Sequence, residues 1–379
     1  MNKVKKIILA PCSFKGSLSA LEVCQHLQKG IKRALPTSQL EIISIPIADG
    51  GEGLVECLLA TKSGKLIKPK VKDPLGREIA SFYGLTEDNT AIIEMAAASG
   101  LPLLKKSERD PLKASTFGTG ELILHALEAG CRKFVIGLGG SATVDCGHGM
   151  AKALGVKYFD KGGKEIEEMG GGCLGKIAQI DISSLDKRIN ESKFTAACDV
   201  TNPLCGEKGA SYVFGPQKGA NKEQVELLDK NLKHFGELLE KVFNKELVNK
   251  QGSGAAGGLG AGLFAFLNGE FKKGIDIVKE SSNFDEKVKG ADLIITGEGG
   301  LDSQTLGGKA LSGLLESAKK LNVPIIAIAG KLEDEEIFYE AGFKSLFSIV
   351  NKVMTEEEAM RDAGVLVEKT AERIVRLYF

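Results

Sequence analysis

The 379-residue sequence has no tryptophan and no stretch of about 18 consecutive apolar residues, the length that a membrane-spanning helix needs. Basic residues and then a short apolar run open the chain, and this run is shorter than the h-region of a signal peptide. We therefore expect a soluble, cytoplasmic protein that has no membrane partner.

An excess of charge of either sign is also missing. Lys plus Arg and Asp plus Glu number 50 each, so the formal net charge is zero. This balance gives no electrostatic reason to expect DNA, RNA or an anionic membrane as a partner.

Several metal and catalytic motifs are absent. The eight cysteines include no CxxC pair, and Cys146, His148, Cys198 and Cys205 fit no familiar zinc spacing, so we expect reduced thiols. There is no GxSxG, no HExxH and no kinase-type HRD or DFG set, which disfavours a serine hydrolase and a zinc protease. A Walker A loop is missing, and no GxGxxG follows the first predicted strand, which disfavours a dinucleotide-dependent oxidoreductase.

Glycine, by contrast, is frequent at 47 residues, and it clusters after apolar runs, where sharp turns or close backbone approach require it. Short apolar runs predict buried strands of a parallel sheet at residues 6–10, 41–47, 291–296, 324–329 and 346–350. Helical spacing of apolar residues predicts helices over residues 18–35, 306–321 and 356–377, the first of them capped by Ser17 or Ser19. This alternation indicates βαβ units with right-handed crossovers.

The βαβ units occupy the two ends of the chain, whereas the middle contains a charged, strand-like stretch and several glycine-rich turns. We therefore predict an α/β protein with two domains. Residues 1–65 and 286–379 form a discontinuous parallel-sheet domain, and residues 66–285 form an inserted second α/β domain.

Polar residues follow the first predicted strand. Ligands bind beyond the carboxyl ends of the strands in an open parallel sheet. Ser13, Lys15 and Ser17 stand there just before a helix, and a lysine beside backbone N–H groups suits a phosphate or a carboxylate. An ordinary helix cap with a solvated lysine is the alternative.

Acidic residues follow two further strand ends. Asp49 and Glu52 flank two glycines after the second strand, and Glu298 and Asp302 follow a late strand. Converging carboxylates and one lysine are suited to Mg²⁺-assisted chemistry on an anionic substrate, because carboxylates hold the hydrated metal and the lysine offsets phosphate charge. Taken singly, each acid also fits a turn or a helix cap.

The inserted part carries a turn at residues 139–145 (GGSATVD), which we call the glycine turn. Its glycines let backbone amides approach a ligand, its hydroxyls add donors, and several amides pointing one way form an anion nest. We predict that it holds phosphate, with a plain strand-to-helix turn as the alternative. Asp199 ends another apolar run, and Gln217 and Lys218 add polar groups in a further turn unless they are simply solvated.

Nine stretches, in the same order along the chain, resemble the bacterial glycerate kinases from about residue 5 to the C-terminus. They are APCSFKGSLSA, IPIADGGEG, IEMAAASGL, RDPLKASTFGTGELI, IGLGGSATVD, ACDVTNPLCGEKGAS, FGPQKGA, GAAGGLGAGL and ITGEGGLDSQT. The resemblance implies ATP-dependent phosphorylation of D-glycerate to 2-phosphoglycerate or 3-phosphoglycerate, with Mg²⁺. It also implies a Rossmann- or flavodoxin-like domain built from both chain ends and an inserted α/β domain.

The combined hypothesis places glycerate in a cleft between the domains and ATP phosphates against the glycine turn. Catalysis is assigned to Asp302, Asp199 and Lys15, with Asp302 favoured as the base. Substrate binding is assigned to Ser13, Lys15, Ser17, Asp49, Gly50, Gly51 and Glu52. Nucleotide binding is assigned to Gly139, Gly140, Ser141, Thr143 and Asp145, and metal binding to Asp145, Asp199 and Glu298.

The sequence departs from the family pattern at three places. Cys12 stands where the family usually has aspartate, residues 144–147 read Val-Asp-Cys-Gly instead of Asn-Asp-Gly-Gly, and Gly300 replaces a usual arginine. These departures leave two alternatives open, a kinase for another small hydroxy acid and a ligand-binding homologue with weakened catalysis. The phosphorylated hydroxyl and the oligomeric state, a homodimer included, also stay open.

Overall fold

The computed structural model describes residues 4–307 and 309–379. Its strands, in chain order, are β1 Lys5–Leu9, β2 Leu40–Ser44, β3 Gly64–Ile67, β4 Lys70–Lys72, β5 Glu78–Ala80, β6 Tyr83–Thr86, β7 Thr90–Glu94, β8 Lys133–Gly137, β9 Lys157–Phe159, β10 Gln179–Asp181, β11 Lys193–Ala197, β12 Glu270–Lys272, β13 Leu293–Leu301, β14 Ile325–Leu332 and β15 Ser345–Ser348. Strands and helices alternate along much of the chain, and the predicted α/β fold class is confirmed.

The α-helices are α1 Ala20–Ala34, α2 Leu54–Thr61, α3 Ala96–Ser99, α4 Phe117–Glu128, α5 His148–Ala153, α6 Ala210–Phe214, α7 Lys222–Phe243, α8 Leu259–Phe266, α9 Gly274–Ser282, α10 Phe284–Val288, α11 Ser303–Gly307, α12 Lys309–Leu321, α13 Glu335–Ala341, α14 Glu356–Arg361 and α15 Ala363–Tyr378. Short 3₁₀ helices span Thr37–Gln39, Leu101–Leu103, Lys106–Glu108, Leu174–Lys176, Lys187–Glu191 and Pro216–Lys218. In the described part of the chain, no helix combines the length and apolar character that crossing a membrane demands.

Contacts divide the chain into two compact units. The first contains residues 1–49, 56–62 and 273–379, and the second contains residues 50–55 and 63–272. The sequence places the domain boundaries at residues 65/66 and 285/286, and the assignment of domains stays a prediction.

The first unit is built on a five-stranded sheet in the order β15-β14-β13-β1-β2. Every neighbouring pair is parallel, with Ile7 beside Leu293 on one side of β1 and Ile42 on the other. Strands that are buried on both faces of a parallel sheet need apolar side chains at nearly every position, which is the pattern of residues 7–9 in β1 and residues 293–295 in β13. The strand order reverses direction between β1 and β13, and such a switch point is where ligands bind in open α/β sheets.

The pairing of β13 with β14 extends past the other strands of this sheet. It continues through Gly300 beside Lys331 to Leu301 beside Leu332. The ladder between β14 and β15 ends at Ala329, and that between β1 and β13 ends at Ile295. The sequence predicts a strand that stops at residue 296, and this end is wrong because the strand runs on through the glycines as a two-stranded ribbon.

The predicted helices of the first unit are present with changes. The predicted helix over residues 306–321 corresponds to the end of α11 and to α12, and residue 308 between them lies outside the described residues. Ser19 caps α1 in a capping box with Glu22, which confirms one of the two proposed caps. Ser17 is not the cap, because its hydroxyl donates to the Met360 carbonyl oxygen at 2.7 Å. The predicted C-terminal helix is divided into α14 and α15, which meet at Asp362.

Helices α1 and α15 pack closely at Gly30, and this contact yields a stability prediction. A methyl group at residue 30 would overlap the Glu368 carbonyl oxygen and lie 2.9 Å from the Ala371 side chain. Gly30→Ala should therefore lower the free energy of unfolding by about 2 kcal/mol, although alanine favours helix over glycine by about 1 kcal/mol. Urea unfolding followed by circular dichroism measures the change.

Lys32→Ala is the matched control, because Lys32 lies on the exposed side of the same helix. A Gly30→Ala protein as stable as the wild type would show that α1 and α15 separate at little cost.

The second unit is built on a six-stranded mixed sheet in the order β12-β11-β8-β7-β6-β3. Strands β12, β11, β8 and β7 run parallel, and at one edge β6 pairs antiparallel with both β7 and β3. Two small antiparallel pairs, β4 with β5 and β9 with β10, lie outside this sheet. The glycine turn leaves the carboxyl end of β8, and Asp199 follows the carboxyl end of the neighbouring β11.

Candidate functional site

Four charged residues come together in the first unit. Lys15 and Asp49 lie beyond the carboxyl ends of β1 and β2, Glu298 lies within β13, and Asp302 follows β13. We call Lys15, Asp49, Glu298 and Asp302 the strand-end cluster. The charges of the other three all act on the carboxyl group of Glu298, and those of Lys15, Asp49 and Glu298 act on the thiol of Cys12. The backbone joins the two strand ends directly, since the Cys12 N–H donates to the Gly297 carbonyl oxygen at 2.8 Å. The sequence prediction that these strand ends converge within this unit is therefore supported.

The electrostatics of the strand-end cluster are unbalanced toward negative charge. Burial raises the pKa of Glu298, and the nearby Asp49 and Asp302 raise it further, while a hydrogen bond with Thr305 and the charge of Lys15 act in the opposite direction. Burial together with Glu298 and Asp49 raises the pKa of the Cys12 thiol, so Cys12 is a neutral thiol at pH 7. Three carboxyl groups beside one lysine are expected to attract a cation.

Asp302 begins the short helix α11. Its carboxylate oxygen Oδ1 accepts from the Thr305 N–H at 3.0 Å and from the Thr305 hydroxyl at 3.1 Å. In return the Asp302 N–H donates to the Thr305 hydroxyl oxygen at 3.1 Å. These bonds orient the carboxyl group. They fit a helix-capping role for Asp302 as well as they fit its predicted role as the base.

The loop after β1 presents Lys15 at its tip. Phe14 and Leu18 pair through two backbone hydrogen bonds of 2.8 and 3.0 Å, which leaves Lys15 exposed between them. Ser13 is half-buried, and Ser17 is engaged with Met360 as described above. The predicted contact of Ser17 with a substrate carboxylate therefore has a competing partner within the protein and stays a prediction.

The DGGEG motif divides between the two units after Asp49. In the second unit, Gly50 and Gly51 lie against the ends of the central strands: a methyl group at Gly139 would be 2.5 Å from the Gly51 Cα atom, and one at Gly137 would be 2.6 Å from the Gly50 carbonyl oxygen. Close backbone packing thus explains why residues 137 and 139 are glycines, without a ligand. The roles of Gly50 and Gly51 are a separate question. Their predicted role in substrate binding, with that of the exposed Glu52, is untested.

The glycine turn in the second unit is tied to the chain on both sides. The Leu101 N–H donates to the Gly140 carbonyl oxygen, and the Ala142 N–H donates to the Ser99 carbonyl oxygen, each at 2.9 Å. Gly140 has φ +71°, a conformation that a β-branched or bulky residue adopts only with strain. The turn is therefore a fixed structure, which suits a binding loop and a structural turn equally.

Lys218 lies beneath the glycine turn. Its ammonium group donates to the Ser141 hydroxyl and to the Thr143 carbonyl oxygen, both at 2.7 Å. The side chain is only 1% exposed, and burial lowers the pKa of Lys218 to about 7 against the opposing charge of Asp145. The interpretation of Lys218 as solvated is wrong.

Asp145 is fully buried and its carboxylate is saturated with hydrogen bonds. One oxygen accepts from the Thr116 N–H and hydroxyl, both at 2.8 Å, and from the Gly149 N–H at 3.2 Å. The other accepts from the Gly147 N–H at 3.2 Å. Burial raises the pKa of Asp145, and these bonds oppose the rise. The geometry gives Asp145 a structural role, so its predicted roles in nucleotide and metal binding lack support.

His148 and Thr143 are fully buried beside Asp145. The His148 ring packs 4.3 Å from the Tyr158 ring, and burial lowers its pKa to about 3, which makes it a neutral core residue. The Thr143 hydroxyl has no hydrogen-bond partner among residues 4–307 and 309–379. A buried hydroxyl that lacks a partner is costly and calls for an explanation.

A metal site requires donors that converge. Within the described residues, no three His, Cys, Asp or Glu side chains form a group ready to hold a metal ion. Mg²⁺ usually keeps several waters and binds through one or two carboxylates plus the phosphates of its substrate. The oxygen donors of the strand-end cluster fit this mode, whereas Asp145, Asp199 and Glu298 as a metal set stay a prediction.

Sequence reasoning missed the burial of Lys218, although a local signal was present. Pro216 fixes the first position of a 3₁₀ turn, and Gly219 ends it with φ +96°, so Lys218 is held in one direction. A methyl group at Gly219 would lie 2.9 Å from the Arg109 side chain, which shows that the turn is packed rather than free. Proline and glycine flanking one lysine are a better indication of a fixed side chain than of a solvated one.

Comparisons with known proteins agree over nearly the whole chain. The sequence model described as the glycerate kinase family matches residues 7–379. A glycerate kinase of Bacillus subtilis (strain 168) is 47% identical over 371 residues, which cover 97% of this chain and 96% of that protein. A glycerate 2-kinase of Escherichia coli (strain K12) is 47% identical over 360 residues, 94% of each chain.

A solved structure also matches. It is a crystal structure of a protein described as a candidate glycerate kinase 2 from Salmonella typhimurium LT2, with a TM-score of 0.89 and 44% sequence identity. The match covers 99% of this chain and 98% of that one. The fold described above is therefore one that an experimentally determined relative shares.

Proposed function

The chain belongs to the glycerate kinase family, and from this premise we propose that it transfers a phosphoryl group from ATP to a hydroxyl group of D-glycerate. The product is 2-phosphoglycerate or 3-phosphoglycerate. The single observation that carries the proposal at the level of residues is the strand-end cluster, which brings one lysine and three carboxyl groups together at a sheet switch point.

We assign binding and catalytic roles to individual residues from their charges. Lys15 is exposed at the tip of its loop and attracts the carboxylate of glycerate. Asp302 accepts the proton of the attacking hydroxyl, because its carboxyl group is already oriented by Thr305. Asp199 is the second candidate for this role, and both of its carboxylate oxygens are shielded from solvent.

The nucleotide is assigned to the second unit. Backbone amides and the hydroxyls of Ser141 and Thr143 in the glycine turn suit phosphate oxygens. Glu298 would hold Mg²⁺, which when bound neutralises phosphate charge during transfer. Phosphoryl transfer relies mainly on positioning and electrostatic stabilisation, so these residues need supply no covalent chemistry.

The test of this proposal is a coupled assay of ADP release with purified protein, ATP, Mg²⁺ and D-glycerate. ³¹P and ¹³C NMR of the product then identifies the phosphorylated hydroxyl. Tight binding of ATP or glycerate without ADP release would overturn the kinase proposal in favour of a ligand-binding homologue. A cytoplasmic location and the use of Mg²⁺ belong to the same proposal, and chelation of Mg²⁺ should abolish ADP release.

The Gly300 departure allows a test of substrate preference. Gly300 is exposed on the ribbon, and the nearest atom to an added Cβ is the Lys331 Cβ at 3.9 Å, so a side chain fits. Gly300→Arg should keep the fold and lower the KM for D-glycerate about fivefold, because a cation near an anion contributes about 1 kcal/mol in water. Steady-state kinetics with D-glycerate and other small hydroxy acids measures the effect.

Gly300→Gln is the control, since it adds a polar side chain without charge. Equal KM values for the two variants would show that charge at this position does not govern glycerate affinity. A larger gain with another hydroxy acid than with glycerate would favour the alternative substrate.

A further inference from the structure

A lysine as deeply buried as Lys218 is unusual, and its surroundings are specific. Two of its three N–H donors are used, one by the Ser141 hydroxyl and one by the Thr143 carbonyl oxygen. Both partners belong to the glycine turn, and both are uncharged. The cation is therefore held by two residues of the turn to which the proposed function assigns the nucleotide phosphates.

No described carboxylate pairs with this cation. Asp145 is the acid whose charge acts on Lys218, but its two oxygens accept four hydrogen bonds from Thr116, Gly147 and Gly149. Among the described residues, the hydrogen-bond partners of the Lys218 ammonium are the Ser141 hydroxyl and the Thr143 carbonyl oxygen, and neither carries a charge. A buried charge without a partner is costly, and an anionic ligand would remove that cost.

A second feature of the turn points to a ligand independently. The Thr143 hydroxyl is 0% exposed and has no partner among the described residues, although its own carbonyl accepts from Lys218. The turn thus holds one cation that lacks a counter-charge and one hydroxyl that lacks a partner. An anion with several oxygens can satisfy both, which an ordinary strand-to-helix turn does not need.

We propose that Lys218 is a positioning residue of the nucleotide site, which fixes Ser141 and Thr143 from beneath and directs its positive charge toward the phosphate groups of ATP. This inference rests on the proposed function, whose site it deepens. Pro216 and Gly219 hold the lysine in place, and Arg109 packs against the same turn and donates to the Gln217 carbonyl oxygen at 3.3 Å. Lys218 acts on the phosphates through charge and through the shape of the turn, not as a base.

The experiment compares nucleotides of graded charge. Lys218→Met keeps the length of the side chain and removes the charge. Isothermal titration calorimetry with ATP, ADP and adenosine should show that ATP affinity falls at least tenfold, that ADP affinity falls less and that adenosine affinity is unchanged. The KM for ATP should rise while the KM for D-glycerate stays the same, a pattern that a general loss of structure does not produce.

Lys222→Met is the matched control, because Lys222 is an exposed lysine at the start of α7, outside the glycine turn, so the same substitution there should leave ATP affinity unchanged. If Lys218→Met lowers the affinities for ATP and adenosine equally, or does not lower the affinity for ATP, the inference is overturned. If wild-type protein releases no ADP with D-glycerate, the proposed function fails. The affinities of the two proteins for ATP, ADP and adenosine still test the role of Lys218 in that case.

A measurement on the wild type covers the case in which Lys218→Met does not fold. Hydrogen exchange followed by mass spectrometry should show that ATP protects residues 139–145 and 215–220 and that adenosine does not. Absence of ATP-dependent protection in both segments would also overturn the inference.

Discussion

Asp302→Asn is expected to lower turnover by about 10²- to 10⁴-fold, the usual contribution of a general base, with little change in stability. Asparagine keeps an oxygen that can accept from the Thr305 N–H and hydroxyl, and Asn and Asp are equivalent helix caps. The lower turnover therefore reflects slower proton transfer and not a loss of folded protein. Steady-state kinetics with saturating ATP and D-glycerate measures turnover, and thermal unfolding checks the fold.

Thr305→Val separates the two roles of Asp302. It removes the hydroxyl bond that orients the carboxyl group but leaves the carboxylate itself. This variant should lose stability by about 1 kcal/mol and retain most activity. If Asp302→Asn turns over at the wild-type rate, Asp302 is only a helix cap, and Asp199→Asn becomes the variant to test for the base.

Asp145→Asn is expected to lower the free energy of unfolding by about 3 kcal/mol, the largest stability effect among these variants. Each oxygen of the carboxylate accepts from a backbone N–H, so the amide NH₂ must face a donor in either orientation. A buried donor then loses its partner, and the contact between residues 115–117 and the start of α5 is weakened. Urea unfolding measures the loss.

The same variant distinguishes a structural from a metal-binding Asp145. A protein that stays as stable as the wild type but no longer responds to Mg²⁺ would contradict the structural role and restore the sequence prediction. Asp199→Asn serves as the comparison, since Asp199 lies after β11 and is assigned to the same metal set.

The fold was accessible from the sequence because its strands and helices carry local signals. Buried parallel strands are short apolar runs, and the helix of residues 20–34 begins at a capping box that the sequence displays. The ends of strands were harder to predict from the sequence, as β13 shows. Glycines at residues 299 and 300 look like a turn, yet pairing with β14 keeps them in the strand.

Only part of the candidate site could be predicted from the sequence. Lys15, Asp49, Glu298 and Asp302 follow the strand ends that the sequence predicts, although Glu298 lies within β13. Parallel strands bring such segments together, so local order is enough to group them. Asp145 and Lys218 depend instead on contacts with distant segments. Thr116 supplies two of the four hydrogen bonds to Asp145 from 29 residues away in sequence, and Ser141 accepts from Lys218, which is 77 residues away. Pro216 and Gly219 indicate that Lys218 is held in a fixed turn, but no spacing in the sequence indicates which distant residue it contacts.

The ribbon of β13 and β14 has a consequence for how this protein can diverge. Glu298 stands on a hydrogen-bonded arm whose side chains alternate between opposite faces, with Ala329 as its partner. Inserting or deleting one residue just before it would send the carboxyl group to the other face. The number of residues in this arm is therefore constrained by the face on which the Glu298 carboxyl group must lie.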